Sequence, residues 1–161
     1  MRIGLDFGSV IVRLRGKNSR EDTSLDRADG IEIAHDGVID GIRAMVAQTG
    51  GSVWIVSKAG TRMQETTRNW LDSVDFFTQT DMARENLRFC LERSEKEAIC
   101  KSLDISHFVD DRIHIMRILR HSVPHLFLFG PEENRHFSPP WATYVTSWTD
   151  PVSKVLTHQT R

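Results

Sequence analysis

The chain has 161 residues, of which 39% are hydrophobic, so its length and composition suit one domain with an ordinary buried core. Its formal net charge of −1 lacks the basic excess that binding to a phosphate backbone usually needs, and this does not favour a nucleic-acid partner. Cys90 and Cys100 form neither a disulfide framework nor a zinc-binding pattern, so we interpret them as reduced, buried thiols.

The first residues also argue against a membrane protein. Asp6 interrupts the apolar stretch near the N-terminus, which breaks the core of a signal peptide. The sequence has no apolar run that approaches the roughly 20 residues of a membrane span. We therefore expect a cytoplasmic protein without a membrane segment, and the sequence gives no indication of its oligomeric state.

Short apolar runs alternate with helical patterns along the chain. Strands are predicted at residues 3–7, 53–56, 76–77, 87–90, 107–109, 125–129 and 143–147. Helices are predicted at residues 36–48, 61–71, 94–103, 113–119 and 151–158, and in the third of these Ala98, Ile99 and Leu103 are expected to face inward. The polar stretch at about residues 13–35 predicts an exposed flap within a single domain that spans residues 1–161.

This alternation is typical of an α/β domain with a mainly parallel sheet. Ligands of such sheets gather at the carboxyl ends of the strands. Polar residues of the sequence fall at or near these predicted ends: Asp6, Ser57, Lys58, Lys96, Asp110 and Asp111.

Each of these residues has an ordinary alternative explanation. An acid at a strand end is often a turn or cap residue, and a lysine at a helix start is usually solvated. The adjacent acids Asp110 and Asp111 are more unusual, because paired acids repel each other unless a cation joins them. Together, the acids suit Mg²⁺, while Ser57 and Lys96 suit a transferred phosphoryl group.

The sequence around these residues resembles the haloacid-dehalogenase-like (HAD-like) superfamily. The four motifs of that superfamily are similar to residues 3–10 (IGLDFGSV), 54–59 (WIVSKA), 92–96 (ERSEK) and 107–112 (HFVDDR). The resemblance implies a three-layer α/β sandwich of Rossmann type with a minimal cap, because the insertion between Val12 and His35 is short. It also implies a hydrolase, with Mg²⁺ as cofactor and a small phosphorylated substrate.

The resemblance also assigns roles to individual residues. Asp6 would be the nucleophile that forms an aspartyl-phosphate, and Ser57 and Lys96 would hold the phosphoryl group. The turn that begins at Ser57 and Lys58 would add backbone amides for a phosphate oxygen. The residues that would hold Mg²⁺ are Asp6, Asp110, Asp111 and Gly8, the last through its backbone carbonyl.

Gly8 departs from the superfamily pattern. Phosphatases of this superfamily usually carry a second Asp two residues after the nucleophile, which serves as general acid and base. Loss of such a group typically costs about 10²–10⁴-fold in rate, so we expect weakened acid–base function and least harm with a good leaving group such as an acyl or aryl phosphate.

Other classes of protein remain as alternatives. A non-catalytic HAD-like domain that binds a phosphorylated ligand or a protein partner is the main one, and Gly8 favours it. A response-regulator receiver uses similar groups, but its acidic pair comes first in the chain, whereas here the single Asp6 does. A purely structural protein would leave the polar residues unexplained.

Overall fold

The computed structural model describes residues 1–14 and 30–157. The strands are β1 (Ile3–Leu5), β2 (Val12–Leu14), β3 (Ile31–Ile33), β4 (Val53–Lys58), β5 (Leu87–Cys90), β6 (His107–Asp110), β7 (His125–Phe129) and β8 (Thr143–Val145). The helices are α1 (Val38–Thr49), α2 (Thr61–Ser73), α3 (Phe76–Thr80), α4 (Glu95–Ser102), α5 (Ile113–Leu119) and α6 (Thr149–Thr157). Short 3₁₀ helices lie at Arg84–Asn86 and Glu132–Phe137.

Six strands form one sheet in the order β5-β4-β1-β6-β7-β8, and every neighbouring pair is parallel. β1 lies between β4 and β6, where Leu5 is opposite Ile55 on one side and Val109 on the other. The parallel α/β sheet predicted from the sequence is confirmed. Because the first, fourth and sixth strands are neighbours, their carboxyl ends bring distant parts of the chain to one place.

Helices cover both faces of this sheet, which makes the predicted three-layer sandwich. On one face, Ile42 of α1, Trp70 of α2 and Val155 of α6 pack with Ile55 of the sheet. The other face carries α4 and α5, whose buried apolar residues are Cys100, Ile115, Met116 and Leu119. Successive residues of β4 alternate between the two clusters, as expected for a strand that is buried on both sides.

The polar segment after β1 is bounded by a small antiparallel pair of strands. β2 pairs with β3, so that Val12 is opposite Ile33 and Leu14 is opposite Ile31. The interior of the expected flap, residues 15–29, lies outside the described residues. Before β2 the chain is firmly packed, since Val10 and Ile11 are fully buried and Trp148 Nε1 donates to the carbonyl of Val10 at 2.8 Å.

Two expectations about local structure were wrong. Residues 76–77 belong to helix α3 rather than to a strand, and the helix places Phe76 in the core while Thr80 Oγ1 donates to its carbonyl. At α4, Ala98 is exposed rather than inward-facing, whereas Ile99 and Leu103 are partly buried against the core as expected. The fully buried residues of the helix are Lys96 and Cys100, one turn apart. The orientation of α4 is set by the ion pairs of Lys96 with two carboxylates. The spacing of apolar residues in the sequence does not reveal such ion pairs.

No helix among the described residues has both the length and the apolar character that crossing a membrane would require.

Candidate functional site

Asp6 lies directly after β1, the strand at the centre of the sheet. Its backbone N–H donates to the carbonyl of Val109 at 2.9 Å, which continues the pairing with β6 beyond Leu5. The residue is only 8% exposed. Asp6 is therefore held by backbone pairing at the carboxyl edge of the sheet, with a carboxylate that needs partners there.

Lys96 supplies one partner from the opposite side of the site. Its ammonium donates to Asp6 Oδ1 at 2.6 Å and to Asp110 Oδ2 at 2.9 Å. Lys96 is 2% exposed, so the solvated lysine expected by default from a helix start is replaced by a buried ion-paired one. Burial lowers the pKa of Lys96, but the charges of Asp6 and Asp110 raise it by more, and the side chain remains a cation.

The two carboxyl groups that Lys96 joins respond to the same burial. Burial raises the pKa of Asp6 to about 6, the charge of Asp110 adds to the rise, and the ammonium of Lys96 opposes it. Burial also raises the pKa of Asp110, while Lys96 and the backbone N–H of Arg112, which donates to Oδ1 at 3.0 Å, lower it. One lysine thus offsets only part of the negative charge at this edge.

Asp111 completes an acidic cluster with Asp6 and Asp110. One oxygen of each of these three carboxylates lies within 4.8 Å of the others. Among the described residues, Oδ1 of Asp111 is the one buried side-chain polar atom without a hydrogen-bond partner. Burial raises the pKa of Asp111, and the charge of Asp6 raises it further.

These groups fit a divalent cation. Three ionised carboxylates and the ammonium of Lys96 leave a net charge of about −2, which a divalent ion would neutralise. Clustered carboxylate oxygens are the hard ligands that Mg²⁺ prefers, and an orphaned buried oxygen such as Asp111 Oδ1 lacks another explanation in the described structure.

Ser57 and Lys58 form the last two positions of β4, rather than following the strand as expected. Ser57 is buried and Lys58 is exposed. Together with Asp6, Gly8 and Lys96 they line a cavity of about 380 Å³. After Lys58 the chain passes through Ala59 and Gly60 into α2, so a helix start lies beside the same cavity.

Gly8 lies on the exposed side of this cavity, in the turn that links Asp6 to β2. The turn is closed by the N–H of Ser9, which donates to the carbonyl of Val12 at 2.7 Å, and Ser9 has a positive φ of 64°. A Cβ atom added at Gly8 would meet nothing within 4 Å. Neither packing nor a left-handed backbone therefore demands glycine at this position.

Sequence reasoning predicted Lys58 and Lys96 but missed the three arginines of the cavity wall. Arg13, Arg93 and Arg112 line it with Lys58. Arg13 is paired with Glu32 at 2.6 Å, whereas Arg93 and Arg112 are exposed and form no ion pair with another described residue. Arg93 lies in the same motif as Lys96, and Arg112 directly follows Asp111 in another. These positions were the signal in the sequence that could have identified the two arginines.

Comparisons with known proteins agree with this architecture. No family model matches the chain, and no curated protein matches its sequence. Among solved structures it is similar to the D,D-heptose 1,7-bisphosphate phosphatase of B. bronchiseptica, crystallised with magnesium and phosphate, at 14% identity and a TM-score of 0.70, with 99% of this chain and 100% of that one covered.

Two further structures have the same fold. A HAD-superfamily hydrolase from Ehrlichia chaffeensis is 11% identical, with a TM-score of 0.64 and coverage of 97% of this chain and 96% of the other. A haloacid-dehalogenase-like hydrolase from Xanthomonas campestris is 10% identical, with a TM-score of 0.64 and coverage of 98% and 95%. The chain has the fold of the HAD-like superfamily, as the motifs predicted.

Proposed function

We propose that this chain is a Mg²⁺-dependent phosphohydrolase that forms an aspartyl-phosphate on Asp6. The observation that carries the proposal is the contact of Asp6 with buried Lys96, beside the acidic cluster with Asp110 and Asp111. In a HAD-like fold this edge of the sheet is where the site is expected. The magnesium and phosphate found with the B. bronchiseptica phosphatase support the proposal that this site binds Mg²⁺ and a phosphoryl group.

Mg²⁺ would be held by the carboxylates of Asp6, Asp110 and Asp111 and by the backbone carbonyl of Gly8. When bound, the ion would neutralise charge on the phosphoryl oxygens. Lys96 offsets the repulsion between Asp6 and Asp110, because its ammonium bridges their carboxylates. A pKa of about 6 leaves Asp6 largely ionised at neutral pH even before a metal adds its own attraction.

Asp6 carries out the first chemical step. A carboxylate oxygen attacks phosphorus, the bond from phosphorus to the substrate oxygen breaks, and that oxygen leaves with the electron pair. A water then attacks the same phosphorus, which releases inorganic phosphate, returns the carboxylate of Asp6 and gives up a proton. Ser57 and Lys58 line the same cavity, where a hydroxyl and a cation orient phosphoryl oxygens.

Gly8 shapes the range of substrates. It has no side chain to protonate the departing oxygen, so an alkoxide leaves slowly, whereas an acyl or aryl oxygen needs little help. This chain should therefore prefer phosphates with good leaving groups.

The alternative is a non-catalytic domain that binds a phosphorylated ligand, and Gly8 is the observation that favours it. Such a domain would retain the binding groups and lose turnover. Binding of Mg²⁺ and phosphate is expected under both proposals, so only turnover separates them.

The test is hydrolysis of acetyl phosphate and p-nitrophenyl phosphate with and without Mg²⁺. We expect weak Mg²⁺-dependent turnover by the wild type, and none by Asp6→Asn, which keeps the size of the side chain but is a far poorer nucleophile. Asp81→Asn is the matched control, because Asp81 is exposed and does not line the cavity. Mass spectrometry of the acid-quenched protein would detect the phosphate on Asp6.

Turnover by Asp6→Asn at the wild-type rate would contradict the nucleophilic role. An inert wild type that binds Mg²⁺ and phosphate in calorimetry would favour the binding domain. If neither ligand binds, both proposals fail.

A further inference from the structure

A second cavity, of about 670 Å³, opens beside the acidic cluster at the carboxyl ends of β7 and β8. Asp111 lines it, and Ser9 lines both this cavity and the one that contains Asp6. One oxygen of Asp111 lies within 4.8 Å of one from Asp6. A molecule whose phosphoryl group lies at Asp6 can therefore pass Ser9 and place its remaining atoms in the second cavity.

The wall of this cavity is largely apolar and aromatic. Leu128, Phe129 and Tyr144 form buried parts of it, and Phe137 stands at the surface with 62% of its area exposed. The hydroxyl of Tyr144 donates to the carbonyl of Pro131 at 2.8 Å, so its polar end is already satisfied within the protein. Concave apolar surfaces of this size are typical of sites for small organic molecules.

Local contacts hold the wall in shape. A Cβ atom at Gly130 would lie 2.4 Å from the Tyr144 hydroxyl, so glycine is required for Tyr144 to pack over the end of β7. The ring of His35 packs on Phe129 with centroids 4.7 Å apart, and its Nε2 lies 3.0 Å from the carbonyl of Ser9. The aromatic wall is thereby joined to the loop that follows Asp6.

The charge of the lining indicates the kind of group that fits. None of the described residues that line this cavity is lysine or arginine, while Asp111 contributes negative charge. A second phosphate or carboxylate would find no lysine or arginine in this lining, whereas the cations of the site line the other cavity. Flat apolar rings pack well against aromatic side chains.

We infer that this cavity binds an aromatic, uncharged leaving group of the phosphorylated substrate. The inference rests on the proposed function, because it places the phosphoryl group at Asp6. It also agrees with Gly8, since an aryl oxygen is a leaving group that needs little protonation. The natural substrate class is then an aryl phosphate or a phosphate ester with a comparable ring.

Tyr144 allows a direct test, because it is the only tyrosine of the chain. Protein labelled with 3-fluorotyrosine gives one ¹⁹F signal, which is followed with Mg²⁺ present during titration with phenylphosphonate or methylphosphonate. Neither compound is hydrolysed by phosphate-ester chemistry, so turnover plays no part. We expect phenylphosphonate to shift the Tyr144 signal and to bind about tenfold more tightly than methylphosphonate in calorimetry.

Phe137→Ala should remove most of that preference and leave methylphosphonate binding unchanged. Leu91→Ala is the matched control, because Leu91 is a large apolar residue with 57% exposure that does not line the cavity. Equal affinity for both phosphonates with an unmoved ¹⁹F signal would overturn this inference and leave the proposed function intact. Binding of neither phosphonate would overturn both.

Discussion

The ammonium of Lys96 lies 2.6 Å from Oδ1 of Asp6, and both side chains are almost completely buried. It also contacts Asp110 at 2.9 Å, so a single cation serves two buried carboxylates. Breaking such a group by removing one member leaves an uncompensated buried charge, which is more costly than the net value of the ion pair. The position of Lys96 therefore governs stability as well as chemistry.

Lys96→Met tests this relationship, because methionine has similar length and no charge. We expect the free energy of unfolding in urea, measured without metal, to fall by about 3–5 kcal/mol. Lys101→Met is the control, since Lys101 makes an exposed ion pair with Glu97 and its loss should change little. A Lys96→Met protein as stable as the wild type would show that the carboxylates do not depend on this ammonium.

The raised pKa of Asp6 predicts how Mg²⁺ stabilises the protein at different pH values. In the absence of metal, a folded-state pKa of about 6 against an ordinary 3.8 favours the protonated folded form. This contribution to stability is complete below the ordinary value and is lost as the pH rises through 6. Mg²⁺ requires the ionised carboxylate, so its effect should grow over the same range.

We therefore expect the Mg²⁺-induced rise in Tm to be small at pH 5 and clearly larger at pH 7.5. Differential scanning fluorimetry with and without Mg²⁺ measures it. Asp6→Asn should reduce the rise and weaken its pH dependence. An equal rise at both pH values in the wild type would contradict the assignment of Asp6 as a metal ligand that must lose its proton.

Much of the fold could be predicted from the sequence, because buried parallel strands are short apolar runs. The β7 strand and the α5 helix match their predicted bounds, His125–Phe129 and Ile113–Leu119. The short helix at Phe76 was missed because two adjacent aromatic residues suit a strand or a helix equally well. Only its packing in the core distinguishes them.

The candidate site could likewise be predicted from the sequence only in part. The order of motifs indicated Asp6, Lys96 and Asp110, because chain order and strand ends are visible in a sequence. The burial of Lys96 and the second cavity beside Asp111 depend on how α4 and β8 pack, and no local pattern encodes that. Exposed arginines were missed for a related reason, since an exposed cation looks the same in a sequence whether or not it faces a cavity.

Gly8→Asp should raise activity. The site has room for the new side chain, since an added Cβ would meet nothing within 4 Å, and the backbone at Gly8 does not have a positive φ. A carboxyl group there could protonate the leaving oxygen, so kcat for an alkyl phosphate such as glycerol 3-phosphate should increase by about 10²-fold. The gain with acetyl phosphate should be smaller, because its leaving group needs less help.

Gly8→Asn is the control for this gain, because it has the same size and cannot act as a general acid. Equal rates for the two variants would contradict an acid–base origin. Tighter Mg²⁺ binding by Gly8→Asp without a gain in rate would instead indicate that the new carboxylate binds the metal and does not act as an acid.

Arg93 should contribute to the attraction of anions to the cavity. It is exposed, lines the same cavity as Asp6, and has no ion-pair partner among the described residues. Arg93→Ala should weaken binding of inorganic phosphate in the presence of Mg²⁺ by about two- to fivefold at low salt, as expected for one exposed charge. The difference should shrink as the salt concentration rises, because salt screens the interaction.

Arg117→Ala on α5 is the matched control, because Arg117 is exposed but does not line the cavity. Calorimetric titration at two salt concentrations gives the comparison, and equal losses for the two variants would mean that Arg93 acts only through the overall charge of the protein.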